Sequence, residues 1–371
     1  MPFQLKGSGL GGGAAVVGAS SVFKYLVLSD GGISTTAKVY SRNGAVNSGA
    51  SAAMINWCYN NLSAGRLSPE VIQLMGEFSI ETPVLATKYS WLRGPAKLKA
   101  KTNLNNNIIA LKTPTDTIAT FLSDFDVDGN RTNNTSGHGV YLAPDQDLVY
   151  TDPEPYRTVI AKNIKIREAD DRGLYVNATN GVNCGSIRLE QIQAHECDSY
   201  GIQVDDSTDT EIIDCYTAGM YLDHMTSGRM AGCYCGNIGA HNSVTVTNCQ
   251  RVRISDLKLD SFSYHGLFID NGCRSIQLNN VEAKVGSQLD ADNTYDAILL
   301  NDASHCLLTN ITVHQTSGSN KVRYCINEIA PSDYNVVCGA ILEDGKTAAK
   351  MMKLVGANSE YSAVQGTVSR S

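Results

Sequence analysis

The 371-residue sequence predicts an all-β solenoid, and three observations predict it. First, one apolar pattern returns about nine times between residues 120 and 343: inward positions at i, i+2, i+5 and i+7, with two polar residues between the halves. A period-two run, a short break and another period-two run describe two strands meeting at a corner, not a helix face. Second, a recurring strand start follows each copy, in Gly139-Val-Tyr-Leu, Gly173-Leu-Tyr-Val, Gly201-Ile-Gln-Val, Gly219-Met-Tyr-Leu, Gly266-Leu-Phe-Ile and Ala297-Ile-Leu-Leu. Third, 33 glycines against nine prolines suit many tight corners. Such self-similarity means coils that bury their apolar faces only against their neighbours.

The elements follow in chain order. Residues 1–35 read as an N-terminal arm or attachment segment; its small-residue stretch 8–21 makes a poor signal peptide. The formal dinucleotide fingerprint Gly7-x-Gly9-x-x-Gly12 has no strand before it and is discarded. Residues 50–63 place Ala53, Ile55, Trp57, Cys58 and Leu62 roughly on one face, which predicts a short helix capping one end of the solenoid. Short strands are expected over VIQLMG, FSIETPVL, LRGPAKLKAK and NIIALK, with regular coils from about Thr120.

Clear copies of the pattern are Val159-Ala161-Ile164-Ile166, Ile187-Leu189-Ile192-Ala194, Val252-Ile254-Leu257-Leu259, Ile276-Leu278-Val281-Ala283 and Cys306-Leu308-Ile311-Val313; weaker ones start near Thr120, Thr210, Gly228 and Val336. Longer loops at 143–158, 284–296 and 314–323 are expected to shape a groove or a subunit contact. The main body spans 36–345, and 346–371 forms a closing segment or interface tail.

Asp124, Asn163, Gln191, Asp214, Asp256, Asn280 and Asn310 share the i+4 corner, where Asn and Asp tolerate a left-handed backbone. This column is read as structural. Most of the eleven cysteines fall on inward positions, with Cys215 and Cys233 at i+5, Cys235 at i+7, Cys306 at i and Cys338 at i+2. They read as small interior hydrophobes made in a reducing cytoplasm rather than a secreted disulfide framework. Net charge is −7 and no basic cluster stands out, which argues against nucleic acid; no stretch is apolar enough to insert in a membrane.

The strand triplets, Asn-rich corner and aliphatic stacks resemble the pectate lyase-like superfamily, whose fold is a single-stranded right-handed parallel β-helix. KVYSRNGAVNSGASAAMINWCYNNL resembles that superfamily's entry segment, GEFSIETPVLA the region after it, SWLRGPAKLKAKTNLNNNIIAL its next strands and DFDVDGNRTNNTSGHGVYL its DGN coil. The similarity covers roughly residues 38–345, although Asn43–Gly49 lacks the acidic residues usual there. This arrangement is common in bacteriophage tailspikes and polysaccharide-degrading enzymes. The resemblance implies a tailspike or tail-fibre type protein in the virion tail that binds a bacterial surface polysaccharide and can depolymerise it. It further implies a homotrimer attached to a phage tail, baseplate or capsid protein through the N-terminal arm. The alternatives are a free-standing, secreted polysaccharide lyase or glycoside hydrolase, and a non-catalytic adhesive spike.

Aligning the coils stacks the loops READDRG, HECDSYG and DSFSYHG, which sets Glu168 beside Glu196 and Asp170 beside Asp198. Carboxylates one coil apart match the roughly 5 Å spacing of retaining glycosidases, and mutual repulsion raises one pKa to make an acid of it. A second column holds Asn177, Asp205, Asp223, Asp270 and Asn301, with Asp205 and Asp223 a further candidate pair, calcium ligands, or a turn ladder. The candidate catalytic residues are therefore Glu168, Asp170, Glu196, Asp198 and Asp223. Candidate substrate-binding residues are Tyr175, Tyr200, Tyr221, His224, Tyr264, His265 and Phe268. Tyr141, Tyr175, Tyr221 and Phe268 sit two after the strand-opening glycine, an outward stripe suited either to sugar faces or to packing.

No cofactor or metal is expected. Asp124-x-Asp126-x-Asp128-Gly129 starts like an EF-hand loop but lacks the closing Glu. Gly137-His138-Gly139 is similar to a polygalacturonase tripeptide without that family's other motifs, and Tyr221, Asp223 and His224 are residue types of uronate epimerases.

Overall fold

The computed structural model describes residues 23–113, 119–143, 159–177, 187–236, 241–285, 294–315, 322–342, 352–365 and 368–370. Residues 8–21 and most of the three long loops lie outside them.

The chain winds into parallel rungs. One sheet of 18 strands carries the repeated apolar pattern, and a second of 12 short strands carries the glycine-led strand starts. We call them the long sheet and the short-strand sheet. The third side is little more than a file of bridges, Thr208 to Thr226 to Gln250 to Arg274. Register is in step along the regular rungs: Val159, Ala161, Ile164 and Ile166 pair with Ile187, Leu189, Ile192 and Ala194. Their side chains belong to one buried cluster that runs from Tyr25 to Leu354.

The corner column is the structural key. Asp124, Asn163, Gln191, Asp214, Asp256, Asn280 and Asn310 all have φ between 50° and 64°. Each marks the corner between the two halves of a rung of the long sheet, and at Asp214 the strand divides there into Glu211–Ile213 and Tyr216–Thr217. Neighbours tie together, Asn163 Nδ2 donating to Asp124 Oδ1 at 2.9 Å and Asn280 Nδ2 to Asp256 Oδ1 at 2.7 Å. An L-residue with a side chain that cannot bond locally is costly there, so Asn280→Ala is expected to lose about 1–2 kcal/mol. Asn280→Gly should stay near wild type, and equal urea midpoints for both variants would contradict this account.

Several expectations are corrected. Regular rungs begin well before Thr120, because Tyr25–Ser34, Glu70–Ile80 and Ser90–Ala100 already pair in parallel up to Thr120–Asp128. Buried Ile72, Leu74, Phe78 and Ile80 have one extra residue at the corner, around Gly76 (φ 107°), which hides them from the later spacing. Tyr25–Ser34 therefore lies in the sheet although it falls within the segment read as an arm. The last copy starts at Asn335, not Val336, since Leu308 pairs with Val337. Asn335 is fully buried and bonded to Cys306 N, Ala303 O and Glu328, so a search for apolar residues slid past it. Cys338 is accordingly off the inward column.

Beyond the last long loop, Met352–Leu354 and Glu360–Ser362 continue the two sheets. The helix forms over Ser51–Asn60, but its buried stripe is Ala52, Ile55, Cys58 and Tyr59, with Ala53 exposed. All ten cysteines among the described residues are free and eight are buried, as interior thiols. No helix among them is long and apolar enough to cross a membrane.

Candidate functional site

The outer face of the short-strand sheet concentrates the chemistry. Its strands Leu174–Asn177, Ile202–Asp205 and Met220–Asp223 are only four residues long. Alternation points their first and third residues into the core, which leaves the second and fourth outside. Two columns result. One reads Tyr141, Tyr175, Gln203, Tyr221, Thr245, Phe268, and the other Asn177, Asp205, Asp223, Thr247, Asp270.

The aromatic column is half-buried and interlocked. Tyr141 and Tyr175 lie 5.5 Å apart between ring centroids, and the His138 ring sits 5.3 Å and 5.0 Å from them. Arg172 covers the Tyr175 ring at 4.6 Å, bonds Asp171 at 2.6 Å and also donates to Gln203. Tyr200 packs between Tyr221 and His241, at 5.2 Å and 4.9 Å. The backbone N–H of Arg172 donates to His138 Nδ1, which fixes the proton on Nε2. Burial, with Arg172 adding to it and Asp171 opposing it, pushes His138 down to about 4.

Asp205 is the centre of the arrangement. Its Oδ2 accepts from the Tyr175 hydroxyl at 2.8 Å and from Gln203 Nε2 at 2.8 Å. Its Oδ1 is buried and has no hydrogen-bond partner among the described residues. Burial raises the Asp205 carboxyl, and the charge of Asp223 raises it further, against the two hydrogen bonds. Asp223 is its direct partner on the next rung, about 4.8 Å away along the solenoid axis. Asp223 Oδ1 lies 2.8 Å from His224 Nδ1 and accepts from Asn248 Nδ2 at 2.9 Å. The same burial and carboxylates push the Tyr221 phenol up to about 12.

The other predicted carboxylates occupy the opposite edge of these strands, in the turns that enter them. Glu168 and Glu196 stack on consecutive rungs and hold left-handed turn positions with φ 51° and 57°. Gly129 packs against the Glu168 carbonyl so closely that any Cβ would strike it at 2.0 Å, and this marks the turn as scaffold. Asp170 and Asp198 do interact: burial and the Asp198 charge push Asp170 up to about 6, although Arg131 opposes the shift and holds Asp198 at 2.7 Å.

A carboxyl raised from 3.8 to about 6 keeps its proton in the folded state after the unfolded chain has lost it. Folding stability is therefore expected to fall as pH rises from about 4 to about 6, and Asp170→Asn should flatten that slope. Parallel curves of melting temperature against pH for the two proteins would refute the assignment.

Tyr264, His265 and Phe268 lie on the same sheet several rungs further along. His265 stacks on Phe268 at 5.5 Å and accepts the Asp296 backbone N–H at Nδ1, while Tyr264 packs on Tyr295 at 4.7 Å. Buried Asp296 is gripped by Arg323 at 3.0 Å and 2.6 Å. These three residues do not reach the Asp205 pair.

Asp205 was legible from sequence as one half of a possible pair with Asp223, with calcium ligation or a turn ladder as the other readings, whereas Arg172 and Arg131 carried no signal at all. The EF-hand-like aspartates alternate along a strand: Asp124 serves the corner ladder, and Asp128 is buried against Lys97 and Arg167.

No protein-family model matches the chain, and no curated protein matches its sequence. Solved structures match its fold. The enzymatically active domain of tailspike protein 2 from bacteriophage CBA120 aligns at TM-score 0.53 and 14% identity, over 77% of this chain and 44% of that one. The A-module of the Azotobacter vinelandii mannuronan C-5 epimerase AlgE6 aligns at TM-score 0.54 and 13% identity, over 86% and 95%. A mutant DFA-IIIase from Arthrobacter chlorophenolicus A6, in complex with DFA-III, aligns at TM-score 0.53 and 10% identity, over 84% and 88%. This chain thus spans less than half the length of the tailspike. It shares the parallel β-helix fold of these three proteins.

Proposed function

We propose that this chain binds a bacterial surface polysaccharide along the outer face of its short-strand sheet and cleaves it, as the β-helix of a phage tailspike. The observation that carries this reading is the Asp205–Asp223 pair. One member has a buried, unpartnered oxygen and a raised pKa, and the other is held by His224 and Asn248. Asp205 serves as general acid and protonates the glycosidic oxygen. Asp223, on the next rung at a spacing near the roughly 5–5.5 Å of retaining glycosidases, attacks the anomeric carbon as the protonated glycosidic oxygen leaves, and water activated by Asp205 then hydrolyses the glycosyl ester. Tyr175 and Tyr221 flank the two carboxyls and offer ring surface to the sugar. In the same proposal the functional unit is a homotrimer, attached to the virion tail through the N-terminal segment.

A second reading is favoured by Tyr221, Asp223 and His224 lying together, with Arg172 nearby as a cation for a uronate. There the proton leaves the carbon beside the carboxylate, and the product of elimination is an unsaturated uronate.

The test is to incubate the protein with purified surface polysaccharides from host strains and follow chain length and new ends. Shorter chains with new reducing ends are expected. Ultraviolet absorbance from an unsaturated uronate would replace the first reading by the second. Tight binding with no shortening would leave an adhesive spike.

A further inference from the structure

On the long sheet, away from the Asp205 face, one outward column loses its side chains for two rungs. The position that carries Arg167 and then His195 becomes Ala218 and Gly236 on the next two rungs and Asp260 on the one after. With rungs about 4.8 Å apart, this leaves a pit roughly 10 Å long, closed at one end by an imidazole and at the other by a carboxylate. Its volume is about 230 Å³. That is below the roughly 300–1,000 Å³ of pockets for drug-sized ligands and suits a single sugar unit.

The walls are chemically specific. Tyr216 and Tyr234, from the neighbouring column, stack at 4.8 Å with rings 11° from parallel, and Tyr216 is 50% exposed. The stack is anchored from below, because the Tyr234 hydroxyl donates to Asp260 Oδ2 at 2.7 Å. Ser261 donates to Asp260 Oδ1 at 2.9 Å, so both carboxylate oxygens are oriented and each keeps a lone pair for a further donor. At the other end His195 Nδ1 is buried with no hydrogen-bond partner among the described residues.

We infer that this pit is a second saccharide site, which takes one neutral pyranose unit of a glycan. Vicinal hydroxyls bond the Asp260 carboxylate, and the apolar edge of the sugar rests on the tyrosine pair, with the His195 ring closing the far end. A uronate is disfavoured, because its carboxylate would face Asp260. The inference is independent of the Asp205 chemistry and would hold for an adhesive protein as well as for an enzyme. Its consequence is a chain that grips a glycan on two faces, one to hold and one to act, with the gain in residence that a second contact gives.

The full chain should be tested by saturation-transfer difference NMR with methyl α-D-glucopyranoside, methyl α-D-galactopyranoside and methyl α-D-mannopyranoside, and with methyl glucuronoside for comparison. At least one neutral glycoside is expected to give a signal, and the glucuronoside none. Gly236→Leu fills the pit; a Cβ at Gly236 meets the Tyr234 ring edge at 3.1 Å and the Asp260 carbonyl oxygen at 3.6 Å, so the ring shifts by a few tenths of an ångström and no backbone atom is struck. This variant, and separately Asp260→Ala, should weaken the signal about tenfold or more with the melting temperature retained. No signal from any neutral glycoside, a signal that survives Gly236→Leu, or an equal signal from the glucuronoside would each overturn the assignment.

Discussion

Asp205→Asn is expected to lower polysaccharide cleavage about 10²- to 10⁴-fold, the usual contribution of a positioned acid or base. The amide keeps the carboxyl's shape and can still accept from the Tyr175 hydroxyl, but it has no acidic proton to give. The fold should be unaffected, because burial is what raises the Asp205 carboxyl in the first place and a neutral amide relieves that cost. Asp223→Asn should be as damaging. Asp170→Asn, at the opposite strand edge, should change pH-dependent stability and leave cleavage within a few-fold of wild type. Released reducing ends, measured at equal protein and with melting temperatures alongside, distinguish the cases. Activity that survives Asp205→Asn and disappears in Asp170→Asn would place the chemistry at the other edge, on the Asp170–Asp198 pair.

Glu328→Ala is expected to have the largest effect on stability. This residue points inward and is fully buried, where every neighbouring rung carries an aliphatic side chain. Its Oε2 accepts from the backbone N–H groups of Val355 and Gly356, at 2.8 Å and 3.0 Å, and its Oε1 from Asn335 and Ser359, both at 2.7 Å. Alanine strands two backbone donors and two side chains in the interior, at about 1–3 kcal/mol for each donor left unpaired.

Because rungs contact only their neighbours, the loss should be local. Hydrogen exchange is expected to speed up at Met352–Leu354 and Glu360–Ser362 while Val159–Arg167 stays protected. Glu328→Gln fits the space but turns an amide N–H₂ toward other donors, so it should rescue only partly. Uniform exchange across the chain, or an unchanged melting temperature in Glu328→Ala, would contradict this role.

The two predictions fall on residues that the repeat did not single out. Glu328 lies beside Asn335, and both replace apolar residues at the one place where the repeat was read one position out of register. Pattern reading assumes that inward positions are apolar, and a buried polar network breaks that assumption without breaking the fold. Gly76 misled it in another way, since one additional corner residue shifted Phe78 and Ile80 off the expected spacing. Asp205 stayed one of several readings for a third reason. A column of Asn and Asp at strand ends is mostly turn chemistry, as the bonds from Asn248 to Asp223 and from Asn301 to Asp270 show. Only burial and the missing partner on Oδ1 set Asp205 apart from its column.

The sequence alone determined the parallel rungs, the side of each strand that faces the core, and the left-handed corner from Asp124 to Asn310. It could do so because each of these is a local constraint repeated many times, so that one misread copy is outvoted by the others. Only the tertiary structure decided which of the stacked carboxylates is buried, which is spoken for by an arginine, and where a column empties into a pit. Those properties depend on groups such as Arg131, Arg172 and Gly236, which reach a neighbour from a different rung and appear once each, with no period to reveal them.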